Sequence, residues 1–251
     1  METLYMKLSE ENIAPNVILS GDPWRVEVLK KYLSNPKKVG FFREFNTYTG
    51  SYQGVPVTVT STGIGAPSAA IAMEELYQAG MKVAVRMGTI MTLDSEMLGD
   101  FIIPSACMRG ESTSSTYVEN SYPAVADFAL VNCMNEAVTS FNANYHNGIT
   151  CSMDGFYSKM HESRLSKALD FDIMATFEKL KSYHALGVDM ESSCILTLGN
   201  LMGIRSCVLT VATVSENLNE KLQSTERAAA EDLLCRVALQ GIYIQEGRNK
   251  K

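Results

Sequence analysis

The pentapeptide Gly21-Asp22-Pro23-Trp24-Arg25 directly follows the apolar run Val17-Ile18-Leu19. A short buried strand, a tight glycine turn and a helix that opens with proline make a junction whose free backbone N–H groups point beyond the strand end. Arg25, in the first helical turn, adds a fixed positive charge. The combination reads as an oxyanion site, most simply for phosphate, although Gly-Asp-Pro by itself also makes an ordinary turn. The chain carries a net charge of −6, which repels a small anion at long range. An anion site here must therefore come from a few converging cations, and each arginine merits following.

The elements that hold such a site follow from the bulk properties. A chain of 251 residues, 46% hydrophobic and 20% charged, has enough apolar side chains for one sizeable core. The expectation is a single domain spanning 1–251 with an ordered core over about 7–245. No apolar stretch approaches the ~18 residues of a membrane span, and the start Met1-Glu2-Thr3-Leu4-Tyr5 has no signal-peptide pattern. The acidic balance and the lack of a basic stripe disfavour nucleic acid as a partner. Six scattered cysteines without a Cys-x-x-Cys pair suit a reduced, cytoplasmic protein. The histidines at 146, 161 and 184 show no ligand spacing, so no metal is expected.

Strand-like and helical runs alternate throughout. Strands are expected at 16–20, 82–87, 101–105, 148–152 and 206–214, with a hairpin at 47–52 and 55–60 turning on Gln53-Gly54. Helices are expected at 23–33, 66–78, 124–141, 162–169, 174–183, 191–201 and 225–245. This alternation predicts an α/β fold, with ligands beyond the strand ends where the informative glycines and arginines fall.

Four separated segments together carry a resemblance: Gly21-Asp22-Pro23-Trp24-Arg25, Ser61-Thr62-Gly63-Ile64-Gly65-Ala66-Pro67-Ser68, Arg86-Met87-Gly88-Thr89 and Asp189-Met190-Glu191-Ser192. In order and spacing they resemble the nucleoside phosphorylase family, which includes uridine phosphorylases and hexameric purine nucleoside phosphorylases. The match runs from about Lys7 to Gly241. It implies a three-layer α/β/α sandwich around a mixed, partly barrel-like sheet. The implied reaction is attack of phosphate on C1′ of a ribonucleoside, giving ribose 1-phosphate and a free base, with inorganic phosphate as co-substrate and no cofactor.

The resemblance assigns roles residue by residue. Gly21, Arg25, Arg86 and Thr89 would hold phosphate, with Arg43 arriving from a neighbouring subunit. Met190 and Glu191 would hold the ribose, the glutamate bridging its 2′- and 3′-hydroxyls, and Tyr5 stands where the family has a histidine that reaches into a neighbour's site. The base would lie against Ile90, Met91, Phe156 and Val188. Arg86 would also act in catalysis. In purine members an acid after the last long strand protonates the base. Glu216 takes that position, with Arg227 further on as its partner. Uridine phosphorylases instead use a Gln-x-Arg pair after Phe-Tyr, and Phe156-Tyr157 is followed by Ser158-Lys159-Met160-His161-Glu162. Purine nucleosides are thus the first expectation and uridine the second, although 61–76 looks more like uridine phosphorylases.

Four residues depart from the family pattern. Tyr5 replaces the histidine, Asp189 replaces a glutamate, and Ile90-Met91 replaces a small residue and glycine, adding bulk expected to intrude on the base. These keep open a nucleoside-binding paralogue without catalysis. A nucleosidase, in which water replaces phosphate, is disfavoured by Arg25, Arg43 and Arg86. With Arg43 and Tyr5 acting across an interface, an isologous homodimer is the minimum assembly and a hexamer of three dimers the larger one.

Overall fold

The computed structural model describes residues 2–249. The first half contains β1 (Asn16–Ser20), α1 (Pro23–Leu29), β2 (Ser34–Phe42), β3 (Phe45–Tyr52), β4 (Val55–Ser61), α2 (Ala66–Gln78) and β5 (Val83–Thr92). The middle contains β6 (Phe101–Ile102), β7 (Ala106–Gly110), β8 (Ala124–Val125), α3 (Phe128–Ser140), β9 (Tyr145–His146) and β10 (Ile149–Met153). The last part contains α4 (Arg164–Ala168), α5 (Ile173–Ser182), β11 (Ala185–Asp189), α6 (Ser192–Leu201), β12 (Arg205–Ser215) and α7 (Ser224–Asn249).

The strands join one mixed sheet in the order β2-β3-β4-β1-β5-β11-β10-β7-β8, with β12 pairing β5 and β6, and β9 extending from β6. Helices cover both faces, as expected for the α/β sandwich. α1, α3 and α7 share one apolar cluster with Ile18, Val85 and Leu209, and α2 and α6 bury another around Leu19, Met73 and Ile195. Alternate side chains of a strand point to opposite faces, so neighbouring Ile18 and Leu19 serve different clusters.

β5 positions the site. Along one edge it pairs with β12 over its whole length, from Arg205↔Val83 to Ser215↔Thr92. Along the other edge it pairs in parallel with β1 only as far as Met87↔Ser20, then in antiparallel with β11 at Met91 and Thr92. Gly88, Thr89 and Ile90 lie between these two pairings. The carboxyl ends of β1 and β11 therefore open onto the same gap, the kind of switch point at which α/β sheets bind ligands.

Several expected elements differ in extent, each for a local reason. The 23–33 helix is α-helical only to Leu29 and finishes as a 3₁₀ turn, Lys30–Tyr32. The 124–141 helix begins at Phe128, where the Asp127 side chain caps it by accepting from Leu130 N, and Ala124–Val125 pairs with β7 instead. The 101–105 strand is only Phe101–Ile102, interrupted before Pro104, which lacks a donor N–H. The strand expected at 82–87 continues through Gly88 to Thr92. The hairpin has a third strand, β2, which is polar and mostly exposed and so lacks the alternation that marks a strand.

Candidate active site

A cavity of about 700 Å³ occupies the gap, lined by the turn after β1, the middle of β5 and the end of β11. Asp22 caps α1 by accepting from Trp24 N at 2.8 Å, with Pro23 in the first turn. α1 has only seven residues, so guanidiniums rather than a long helix dipole must supply most of the positive charge. Its Arg25 is buried: Nη1 donates to Ser20 Oγ at 3.2 Å, Nη2 pairs with Glu231 Oε1 at 3.4 Å, and Nε has no partner among the described residues.

Arg86, on β5, is also buried at the cavity wall. Its Nε donates to Asp189 Oδ2 at 3.1 Å, its Nη2 reaches the same oxygen at 3.1 Å and also pairs with Glu191, and its Nη1 has no partner among the described residues. Burial works against the Arg86 charge, but the Glu191 and Asp189 carboxylates outweigh it and hold the guanidinium protonated above its ordinary range. Asp189 is itself anchored, accepting from Ser152 Oγ at 2.6 Å and from Ser192 N at 3.2 Å. Its shorter side chain thus serves as the second-layer anchor of Arg86.

Glu191 precedes α6 and accepts from Gly65 N at 2.6 Å. Gly65 has φ +95°, a conformation that other residues adopt only at a cost. Burial raises the Glu191 pKa, the Arg86 charge opposes that rise, and the Asp189 carboxylate adds to it. A partly desolvated carboxylate with unused lone pairs is suited to accepting two neighbouring hydroxyls.

The opposite end of the cavity is apolar. Met91, Met160 and Val188 belong to one buried cluster, against which Phe156, Met190 and Val214 pack, and all six line the cavity. Ile90 lines it too and packs with Ile102 and Ala212, its Cδ1 lying 3.0 Å from where a Cβ on Gly187 would sit.

Of the expected site residues, the structure gathers Gly21, Arg25, Arg86, Thr89, Ile90, Met91, Phe156, Val188, Met190, Glu191 and Arg227 around this cavity. Tyr5 and Arg43 lie outside it, packed together on the surface with the guanidinium carbon 5.2 Å from the Tyr5 ring centre. The expected Glu216–Arg227 pair does not form. Glu216 is not a lining residue and accepts from Lys181 Nζ at 2.6 Å, whereas Arg227 Nε donates to Glu231 Oε1 at 2.9 Å. Sequence reasoning passed over Tyr157, Met160, Val214 and Glu231; only Glu231 left a readable signal, four residues after Arg227 on one helix face. Among the described residues, no group of three or more His, Cys, Asp or Glu side chains is placed to hold a metal ion.

This arrangement coincides with a family assignment. Residues 15–240 match the family model of the phosphorylase superfamily, and the chain belongs to that family. It is 36% identical over 220 residues to uridine phosphorylase of Thermococcus kodakarensis, covering 87% of this chain and 79% of that one. It is 29% identical over 205 residues to purine nucleoside phosphorylase of Plasmodium falciparum, covering 80% of this chain and 79% of that one. Among solved structures, uridine phosphorylase of Vibrio fischeri superposes with a TM-score of 0.83 at 28% identity, over 96% of each chain.

Proposed function

We propose that the chain catalyses phosphorolysis of a ribonucleoside, with uridine as the preferred class of substrate. The observation that carries the reading is the pair of buried arginines, Arg25 and Arg86, that line one cavity and each leave a guanidinium nitrogen without a protein partner. A buried donor left unpaired is costly, and a bound anion removes that cost.

In this reading Gly21, Arg25, Arg86 and Thr89 hold phosphate, joined by Arg43 from a second copy of the chain. Glu191 and Met190 hold the ribose, with Tyr5 of that second copy at its 5′ end. A phosphate oxygen forms a bond to C1′ as the C1′–N bond breaks. The bonding pair leaves with the base, which then takes a proton from solvent or a neighbouring group. Glu191 hydrogen bonds to the 2′- and 3′-hydroxyls strengthen as the sugar gains positive charge.

Two observations support uridine over the purine expectation: Glu216, the acid a purine would need, is engaged by Lys181 outside the cavity, and the similar proteins include several uridine phosphorylases. The purine reading keeps one supporting observation, the Plasmodium falciparum relative. Base release from uridine, inosine, guanosine and adenosine, each with and without phosphate, tests both. The expected result is phosphate-dependent release, fastest from uridine. Fastest release from a purine nucleoside would overturn the base preference, and release that ignores phosphate, or none, would overturn phosphorolysis.

A further inference from the structure

The three arginines that line the cavity already have carboxylate partners on this chain. Arg86 is held by Asp189 and Glu191, and Arg25 and Arg227 share one oxygen of Glu231, at 3.4 Å and 2.9 Å. Glu231 is therefore the carboxylate that links α1 to the start of α7 at the charged end of the site. It occupies guanidinium donors that an incoming oxyanion needs, because a guanidinium has a fixed number of N–H groups and each can serve one strong acceptor.

The three carboxylates are not equally fixed. Asp189 and Glu191 are buried and hydrogen-bonded to Ser152, Ser192 and Gly65, so neither can leave Arg86 without stranding several groups. Glu231 is 24% exposed, has no hydrogen-bond donor other than these arginines among the described residues, and is not itself part of the cavity wall. On a helix with one side in water, a rotation of its side chain carries the carboxylate into solvent.

We infer that Glu231 is a displaceable stand-in for the anionic co-substrate: it neutralises Arg25 and Arg227 and must be released for phosphate to bind, so it sets how weakly phosphate is held. The inference deepens the phosphorolysis reading and rests on it for the identity of the anion. In binding terms Glu231 competes with phosphate for the same donors, and removing the competitor tightens the anion site without touching the sugar or base.

The test compares wild type with Glu231→Gln and Glu231→Asp, the second keeping the charge but shortening its reach to the two guanidiniums. Titration calorimetry with inorganic phosphate on the free protein, with a thermal melt to verify folding, reads the effect directly. The expected result is tighter phosphate binding by about fivefold in Glu231→Gln, the scale of a partly exposed ion pair, and a smaller shift in the same direction in Glu231→Asp. In steady-state assays KM for phosphate should fall by a similar factor while KM for the nucleoside stays put. Unchanged or weaker phosphate binding in these variants would overturn the inference, since Glu231 would then only orient Arg25 and Arg227. The calorimetry decides this whether or not base is released. Failure of the wild-type protein to release base with phosphate would instead overturn the reading of function.

Discussion

Asp189 Oδ2 accepts from Nε of Arg86 and pairs with its Nη2, each at 3.1 Å, so one buried carboxylate oxygen fixes one edge of the guanidinium, while Glu191 pairs with Nη2 and Nη1 is left without a partner among the described residues. The two residues are 103 positions apart in the chain and meet because β5 passes from its pairing with β1 to its pairing with β11. The guanidinium is pre-oriented before any anion arrives, and such preorganisation is where the rate advantage of charged sites originates.

Removal of Arg86 should therefore cost both stability and activity. Arg86→Ala leaves Asp189 and Glu191 as buried carboxylates without their cation, at a cost of about 3–5 kcal/mol in unfolding free energy. It should also lower kcat/KM for phosphorolysis by a factor on the order of 10²–10³. Arg86→Lys keeps the charge but cannot offer a forked edge to Asp189, and it should lose most of the activity while recovering part of the stability. Urea unfolding and phosphate-dependent turnover measure the two effects separately, and full turnover in Arg86→Lys would show that charge alone suffices.

The raised Glu191 pKa has a pH signature. Burial makes the folded protein bind this proton more tightly than the unfolded chain does. Between the ordinary glutamate value of 4.5 and the raised folded value, the native state holds the larger number of protons, so Glu191 makes stability fall as pH rises through that window. In the proposed role of Glu191 activity runs the opposite way, because only an ionised carboxylate would accept both ribose hydroxyls. The expected profile of kcat/KM has an acid limb centred above 4.5 that disappears in Glu191→Gln, together with most of the activity. Wild-type stability minus that of Glu191→Gln should fall steadily as pH rises through the same window; a value that rises would contradict the assignment.

Gly187 is a further point of sensitivity. A Cβ there would lie 2.7 Å from the Met91 carbonyl oxygen and 3.0 Å from Ile90 Cδ1. Gly187→Ala should therefore push β11 away from β5 and cost about 1–3 kcal/mol. Because Asp189 and Glu191 follow directly, activity should fall as well. Gly247→Ala, in a helix with nothing within 4 Å of the new Cβ, should be neutral or gain about 0.5–1 kcal/mol. Thermal melts of the two variants make the comparison.

Much of the site was legible locally. The turn at Gly21, the helix start at Pro23, the Gly63–Gly65 turn, the strand carrying Arg86 and the helix after Glu191 all depend on residues within a few positions of one another, and the structure places them as read. β2, β7, β9 and β11 were not legible, because short or polar strands acquire their conformation from the strands they pair with. Glu216 shows the same limit at a single side chain. It stands directly after the last strand as expected, but its partner is Lys181 on α5, 35 positions upstream.

The amino-acid sequence by itself determined the alternation of strands and helices, the glycine turns, the family and the two buried arginines that define the charged end of the cavity, since periodicity, capping and turn chemistry act over a few residues. Only the tertiary structure decided which carboxylate meets which arginine: Asp189 and Glu191 with Arg86, Glu231 with Arg25 and Arg227, and Glu216 with none of them. Those pairings depend on where distant segments pack, and a charge finds its partner through space rather than along the chain.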